Sequence, residues 1–150
     1  MKIGLDIHGV IDRFPKEFSL LTRRWVEDYG HEVHVVTGES WATAKPQVDA
    51  VSLSYTHHFS IVDHHRDIGT PMTNTVVGQP GWWMDEETWN RSKGDYATRV
   101  GLDIHFEDSL EYAAWFPPSC TFVHAGKNFG VALPVLGDFL HAWDLLGTGT

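Results

Sequence analysis

Four short stretches carry side chains that could do chemistry together: Asp6 in LDIHGV, Thr37-Gly38 closing HEVHVVTG, Lys93 in RSKGD and Asp108 in HFEDS. Asp6 lies near the end of an apolar run from Lys2 to Ile7 and is followed by Gly9. That pattern exposes an acid where a buried strand gives way to a turn, the edge at which open α/β sheets bind ligands. The chemistry such a set suits is attack on a phosphate ester. A carboxylate displaces the ester oxygen and carries the phosphoryl group as an acyl phosphate until water removes it. Anion meeting anion calls for a neutralising cation, and hard carboxylate oxygens suit Mg2+. Asp6 is then the nucleophile, while the Thr37 hydroxyl, the amides near Gly38 and the Lys93 ammonium can hold phosphoryl oxygens as charge develops. Asp6 and Asp108 are the natural metal ligands, with the backbone carbonyl of His8 as a third. Glu107 is expected beside the metal through water rather than on it.

The intervening segments must place these residues at one edge. After Asp12 the apolar positions Phe14, Phe18, Leu21 and Trp25 repeat with helical period, Pro15 suits a first turn and Gly30 a stop. A strand, this helix and a second strand through Val36 make a βαβ unit with parallel strands. Residues Glu39 to Ala50 read as a helix interrupted by Pro46, Val51 to Tyr55 as a third strand, and His58 to Ile68 as a helix. A turn-rich stretch from Gly69 to Trp83 reads as a loop, and Asp85 as the cap of a helix reaching Val100. Leu102, Ile104 and Phe106 alternate in a fourth strand, followed by a short helix to Trp115, a fifth strand at Thr121 to His124 and a terminal helix at Asp138 to Leu146. The alternation predicts a single α/β domain over residues 1–150, a three-layer Rossmann-like fold with a mainly parallel central sheet.

The types and order of these four stretches resemble the four motifs of the haloacid dehalogenase-like hydrolases, most of which are phosphatases. The resemblance covers Met1 to about Phe116 and is carried best by the opening stretch and by SKGDYATRVGLDIHFEDS. It implies a Mg2+-dependent phosphohydrolase with Asp6, His8, Thr37 and Lys93 catalytic. The family pattern at the start is Asp-x-Asp-Gly, and here His8 replaces the second acid. In the family that acid protonates the leaving group and then activates water. An imidazole can pass a proton either way near neutral pH, so it can do the same work. The replacement leaves two functions open, a phosphatase or a protein that binds a phosphorylated ligand with little turnover. The insert at residues 38–92 is too short for a large cap domain, so the expected cap is minimal. The site is then open, or covered by a loop or by a second copy of the chain.

Other features weigh less. His57, His58, His64 and His65 read as a solvated helix face, with His57 and His64 about 10 Å apart on helical spacing. Trp82 and Trp83 read as loop aromatics packed on the body, and Asp12 as a local cap. Cys120 stands alone, which rules out an internal disulfide and fits a cytoplasmic setting. A formal charge of −9 argues against a nucleic-acid polymer as partner. The substrate class expected is therefore a small phosphorylated metabolite, nucleotides included. No apolar run is long enough to span a membrane.

Overall fold

Five short strands make the sheet: β1 (Lys2–Leu5), β2 (Glu32–Thr37), β3 (His57–Ser60), β4 (Ile104–Glu107) and β5 (Thr121–His124). They lie in the order β3-β2-β1-β4-β5, and every neighbouring pair is parallel. The computed structural model describes residues 1–73, 83–127, 129 and 133. The chain moves outward from β1 through β2 to β3, then crosses to the other side of β1 for β4 and β5. Strand order therefore reverses between β1 and β4, and the ends of those strands frame a crevice.

Helices α1 (Pro15–Arg23), α2 (Trp41–Ala50), α3 (Ile61–Asp67) and α4 (Glu86–Val100) flank the sheet. Strand alternation sorts the core into two layers. Ile3, Leu5, Val33, Val35, Ile104 and Phe106 pack with Phe18 of α1 and with Ala44 and Val48 of α2. On the opposite face Val36 and Phe59 meet Ile61 of α3 and Tyr96 and Ala97 of α4. The result is the expected three-layer, Rossmann-like α/β fold. Among the described residues no helix is long and apolar enough to cross a membrane.

Local chemistry explains the helix limits. The Asp85 carboxylate accepts the Thr88 N–H at 3.1 Å to start α4, and Gly101, in a left-handed conformation, closes it. Pro46 does not interrupt α2, which runs from Trp41 to Ala50. The third strand is displaced from its expected position. Val51 and Ser52 turn the chain out of α2, the Ser52 N–H bonding to the Asp49 carbonyl at 3.1 Å. The ladder instead pairs His57 to Ser60 with His34 to Thr37. His57 and His58 are thus strand residues, and α3 begins at Ile61 rather than His58. His65, expected on a solvated face, is buried, its ring nitrogens engaged by Thr70 and by Ser92 of α4, each at 2.7 Å. Trp83 is exposed rather than packed. Trp82 and the terminal helix expected at Asp138 to Leu146 lie outside the described residues.

Candidate active site

β1 ends one residue before Asp6, and the Asp6 N–H continues the ladder by bonding to the Phe106 carbonyl of β4 at 3.1 Å. Asp6 therefore stands beside the end of β4, where Glu107 and Asp108 follow. Alternation decides which of those acids turns inward. Glu107 shares the face of His105, the α4 side, and is fully buried; Asp108, one residue on, is exposed. Lys93 enters from the middle of α4 with only 2% of its surface exposed. Its ammonium lies 3.0 Å from Asp6 Oδ1 and 2.7 Å from Glu107 Oε2. It also lies 4.8 Å from the centroid of the Tyr112 ring. One cation thus bridges two buried carboxylates across the crevice between β1 and β4.

The electrostatics of this cluster are unequal. Burial pushes Asp6 up to about 7, against the pull of Lys93 and with repulsion from Glu107 adding to the rise. Burial acts the same way on Glu107, but the hydrogen bond from His105 at 3.2 Å and the Lys93 charge outweigh it and hold that carboxyl well below the usual range. For Lys93, burial alone would favour the neutral amine; Asp6 and Glu107 overcome it and keep the ammonium charged. Burial also holds His105 below its ordinary value, so a neutral imidazole donates to Glu107. Glycine makes room for that brace. A Cβ on Gly4, paired with His105 across the β1–β4 ladder, would stand 2.5 Å from His105 Nδ1.

The turn after Asp6 carries the chain round the crevice. Gly9 has φ +77°, its N–H donates to the Asp12 carboxylate at 2.7 Å, and an added Cβ would overlap the Asp108 carboxylate. Asp12 is therefore the local cap expected of it, and Gly9 supplies both the left-handed backbone and the space that Asp108 fills. His8 lies on this turn with its side chain about half exposed and Nε2 3.7 Å from Glu39 Oε1. Glu39 in turn accepts from Gln47 Nε2 at 2.8 Å.

These groups line a cleft of about 540 Å³ that includes Asp6, His8, Gly38, Lys93, Glu107 and Asp108. Thr37 is the exception among the expected residues. It shares the face of Val33 and Val35, turned towards α1 and α2, and is fully buried. Its hydroxyl accepts the Glu39 N–H at 3.2 Å, so its visible task is to shape the loop that presents Gly38 and Glu39. The cleft wall also holds residues that the sequence does not single out, among them Glu39, Trp89 and Tyr112. Trp89 donates from its indole N–H to the Tyr112 hydroxyl at 3.1 Å. Glu39 could have been suspected from its place just beyond β2, and Trp89 from lying one helical turn before Lys93. Tyr112 had no such signal.

The carboxylates suit a divalent cation on this geometry. Ligand oxygens of Asp6, Glu107 and Asp108 all lie within 4.8 Å of one another, with the Lys93 ammonium set against Asp6 and Glu107. Glu107 Oε1 is buried and finds no hydrogen-bond partner among the described residues, a costly state for a carboxylate oxygen that a hard cation would relieve. Glu107 thereby joins Asp6 and Asp108 in the set that could touch the ion. Cys120 plays no part: it is buried, and burial pushes its thiol up to about 12. Comparison with family models, curated proteins and solved structures returns no match for this chain.

Proposed function

We propose that the protein is a Mg2+-dependent phosphohydrolase of the haloacid dehalogenase type, acting on a small phosphorylated metabolite. The observation that carries this reading is the Lys93 ammonium held between Asp6 and Glu107 at the paired ends of β1 and β4. A lysine so placed aligns a carboxylate nucleophile and meets an incoming phosphoryl oxygen with positive charge. An Asp6 oxygen attacks phosphorus, the bond to the ester oxygen breaks, and the leaving oxygen takes a proton from the His8 imidazole. Water then cleaves the acyl phosphate, giving its proton back to His8 and freeing Asp6. Asp6, Glu107 and Asp108 would hold the Mg2+, with the His8 carbonyl as a further ligand. The bound ion would offset the excess negative charge of the cluster and the substrate.

Two results are expected. Mg2+ should raise the melting temperature of the wild-type protein, because an ion that binds only the folded state stabilises it by mass action. Asp108→Asn should reduce or remove that rise; a full rise in this variant would show that the ion binds elsewhere. His8→Ala should slow hydrolysis of alkyl phosphates far more than of aryl phosphates, whose leaving groups scarcely need a proton. Equal effects on both classes would remove His8 from proton transfer.

A second reading, a phosphate-ligand binder without turnover, draws on one observation. The Thr37 hydroxyl is turned from the cleft and engaged with the Glu39 N–H, which leaves one fewer group to hold the phosphoryl oxygens. Ligand-induced stabilisation with no phosphate release would favour it.

A further inference from the structure

A second cluster of ligand-type side chains lies towards the opposite end of β2, away from the cleft. Glu32 and His34 are two residues apart on that strand and so share a face. His57 is the ladder partner of His34 on β3 and joins them on it, the two imidazoles stacking with centroids 4.4 Å apart and planes 8° from parallel. One ligand atom from each of Glu32, His34 and His57 falls within 4.8 Å of the other two.

The hydrogen bonds around the two rings add an independent observation. His34 Nδ1 is engaged by the Tyr96 hydroxyl of α4 at 2.7 Å, and its Nε2 meets Glu32 Oε2 at 2.9 Å. His57 Nδ1 is engaged by the Thr56 hydroxyl at 2.8 Å. In both rings a hydroxyl occupies Nδ1, so the nitrogen that would face an ion is Nε2, which in His34 already meets the Glu32 carboxylate. Orientation of a histidine through its far nitrogen is the arrangement that metal-binding imidazoles require.

We propose that Glu32, His34 and His57 form a second metal site, for a divalent ion of the Zn2+ type. Two imidazoles and one carboxylate are the ligands that suit Zn2+ and its late transition-metal neighbours, whereas Mg2+ favours oxygen alone. An imidazole lone pair lies in its ring plane, so one ion cannot serve two parallel stacked rings; binding needs the exposed His57 ring to turn out of the stack and a proton shift within His34. Its single ring proton, now directed from Nε2 to Glu32, moves to Nδ1 and donates to Tyr96, freeing the Nε2 lone pair. His57 is exposed on a strand at the sheet edge, so an ion there would clasp β3 to β2. Three protein ligands leave a fourth position for water or an incoming group.

The test is calorimetric titration of Zn2+ into the metal-free protein with excess Mg2+ present to engage the cleft carboxylates. One high-affinity Zn2+ is expected for the wild type and for Asp108→Asn. His57→Gln, a change at an exposed position, should weaken binding at least about ten-fold, and Tyr96→Phe, which keeps the ring, by about 10- to 100-fold. Without Zn2+ His57→Gln should melt like wild type, a result that separates loss of a ligand from a general loss of structure, whereas Tyr96→Phe strips the buried His34 Nδ1 of its partner and should melt lower. No Zn2+ binding by the wild type, undiminished binding by His57→Gln, or loss of binding in Asp108→Asn would each overturn the proposal.

Discussion

Lys93→Met should be the most damaging single change in the molecule. The variant keeps the length of the side chain and removes the only ammonium between Asp6 and Glu107, which lie 3.0 and 2.7 Å from it. Breaking a buried ion pair from one side leaves uncompensated charge in a poor solvent and costs about 3–5 kcal/mol, a large share of a typical domain's stability. Chemical denaturation at pH 8 should show this loss. Adding Asp6→Asn to Lys93→Met should recover part of it, because one of the stranded charges is then gone. Additive losses in the double variant would mean that the lysine and Asp6 act independently, contrary to the geometry.

Asp6→Asn should have the opposite effect on stability and remove turnover altogether. Burial raises the Asp6 carboxyl from 3.8 to about 7, so between those values the metal-free folded state holds a proton that the unfolded chain has released. Stability contributed by this group is therefore present in acid and is lost as pH rises towards 7, with a slope of at most about 1.4 kcal/mol per pH unit. Glu107, shifted downward, acts only below its ordinary range and does not oppose the trend there. In EDTA, wild type should lose stability from about pH 4 to 7 relative to Asp6→Asn, and the variant should be the more stable at pH 8. The same variant should fail to retain beryllofluoride with Mg2+ and should release no phosphate, since the amide lacks the charge that attacks phosphorus. Wild-type activity in Asp6→Asn would eliminate the acyl-phosphate route.

Asp6, Lys93 and Asp108 were legible because their signals are local: an acid ending an apolar run, a lysine within a capped helix, a pair of acids after an alternating strand. What the sequence hid was orientation. Thr37 ends its strand as expected, yet the parity set by Val33 and Val35 turns it from the cleft and into the α1–α2 side. The same parity selects Glu107 over Asp108 as the buried partner of Lys93. The sequence points to a third strand at Val51 to Tyr55 because Val51, Leu53 and Tyr55 alternate convincingly. The true β3, HHFS, begins with two exposed histidines at the sheet edge and carries little hydrophobic pattern. Placing those histidines on a helix also concealed the cross-strand pairing of His34 with His57, which only the ladder register reveals.

The claim that this cleft hydrolyses phosphate esters is tested most directly by phosphate release from a panel of phosphorylated metabolites, nucleotides among them, measured with Mg2+ and again with EDTA. Release from at least one member that EDTA abolishes is the predicted result. No release from any member by folded protein whose melting temperature responds to Mg2+ would contradict it.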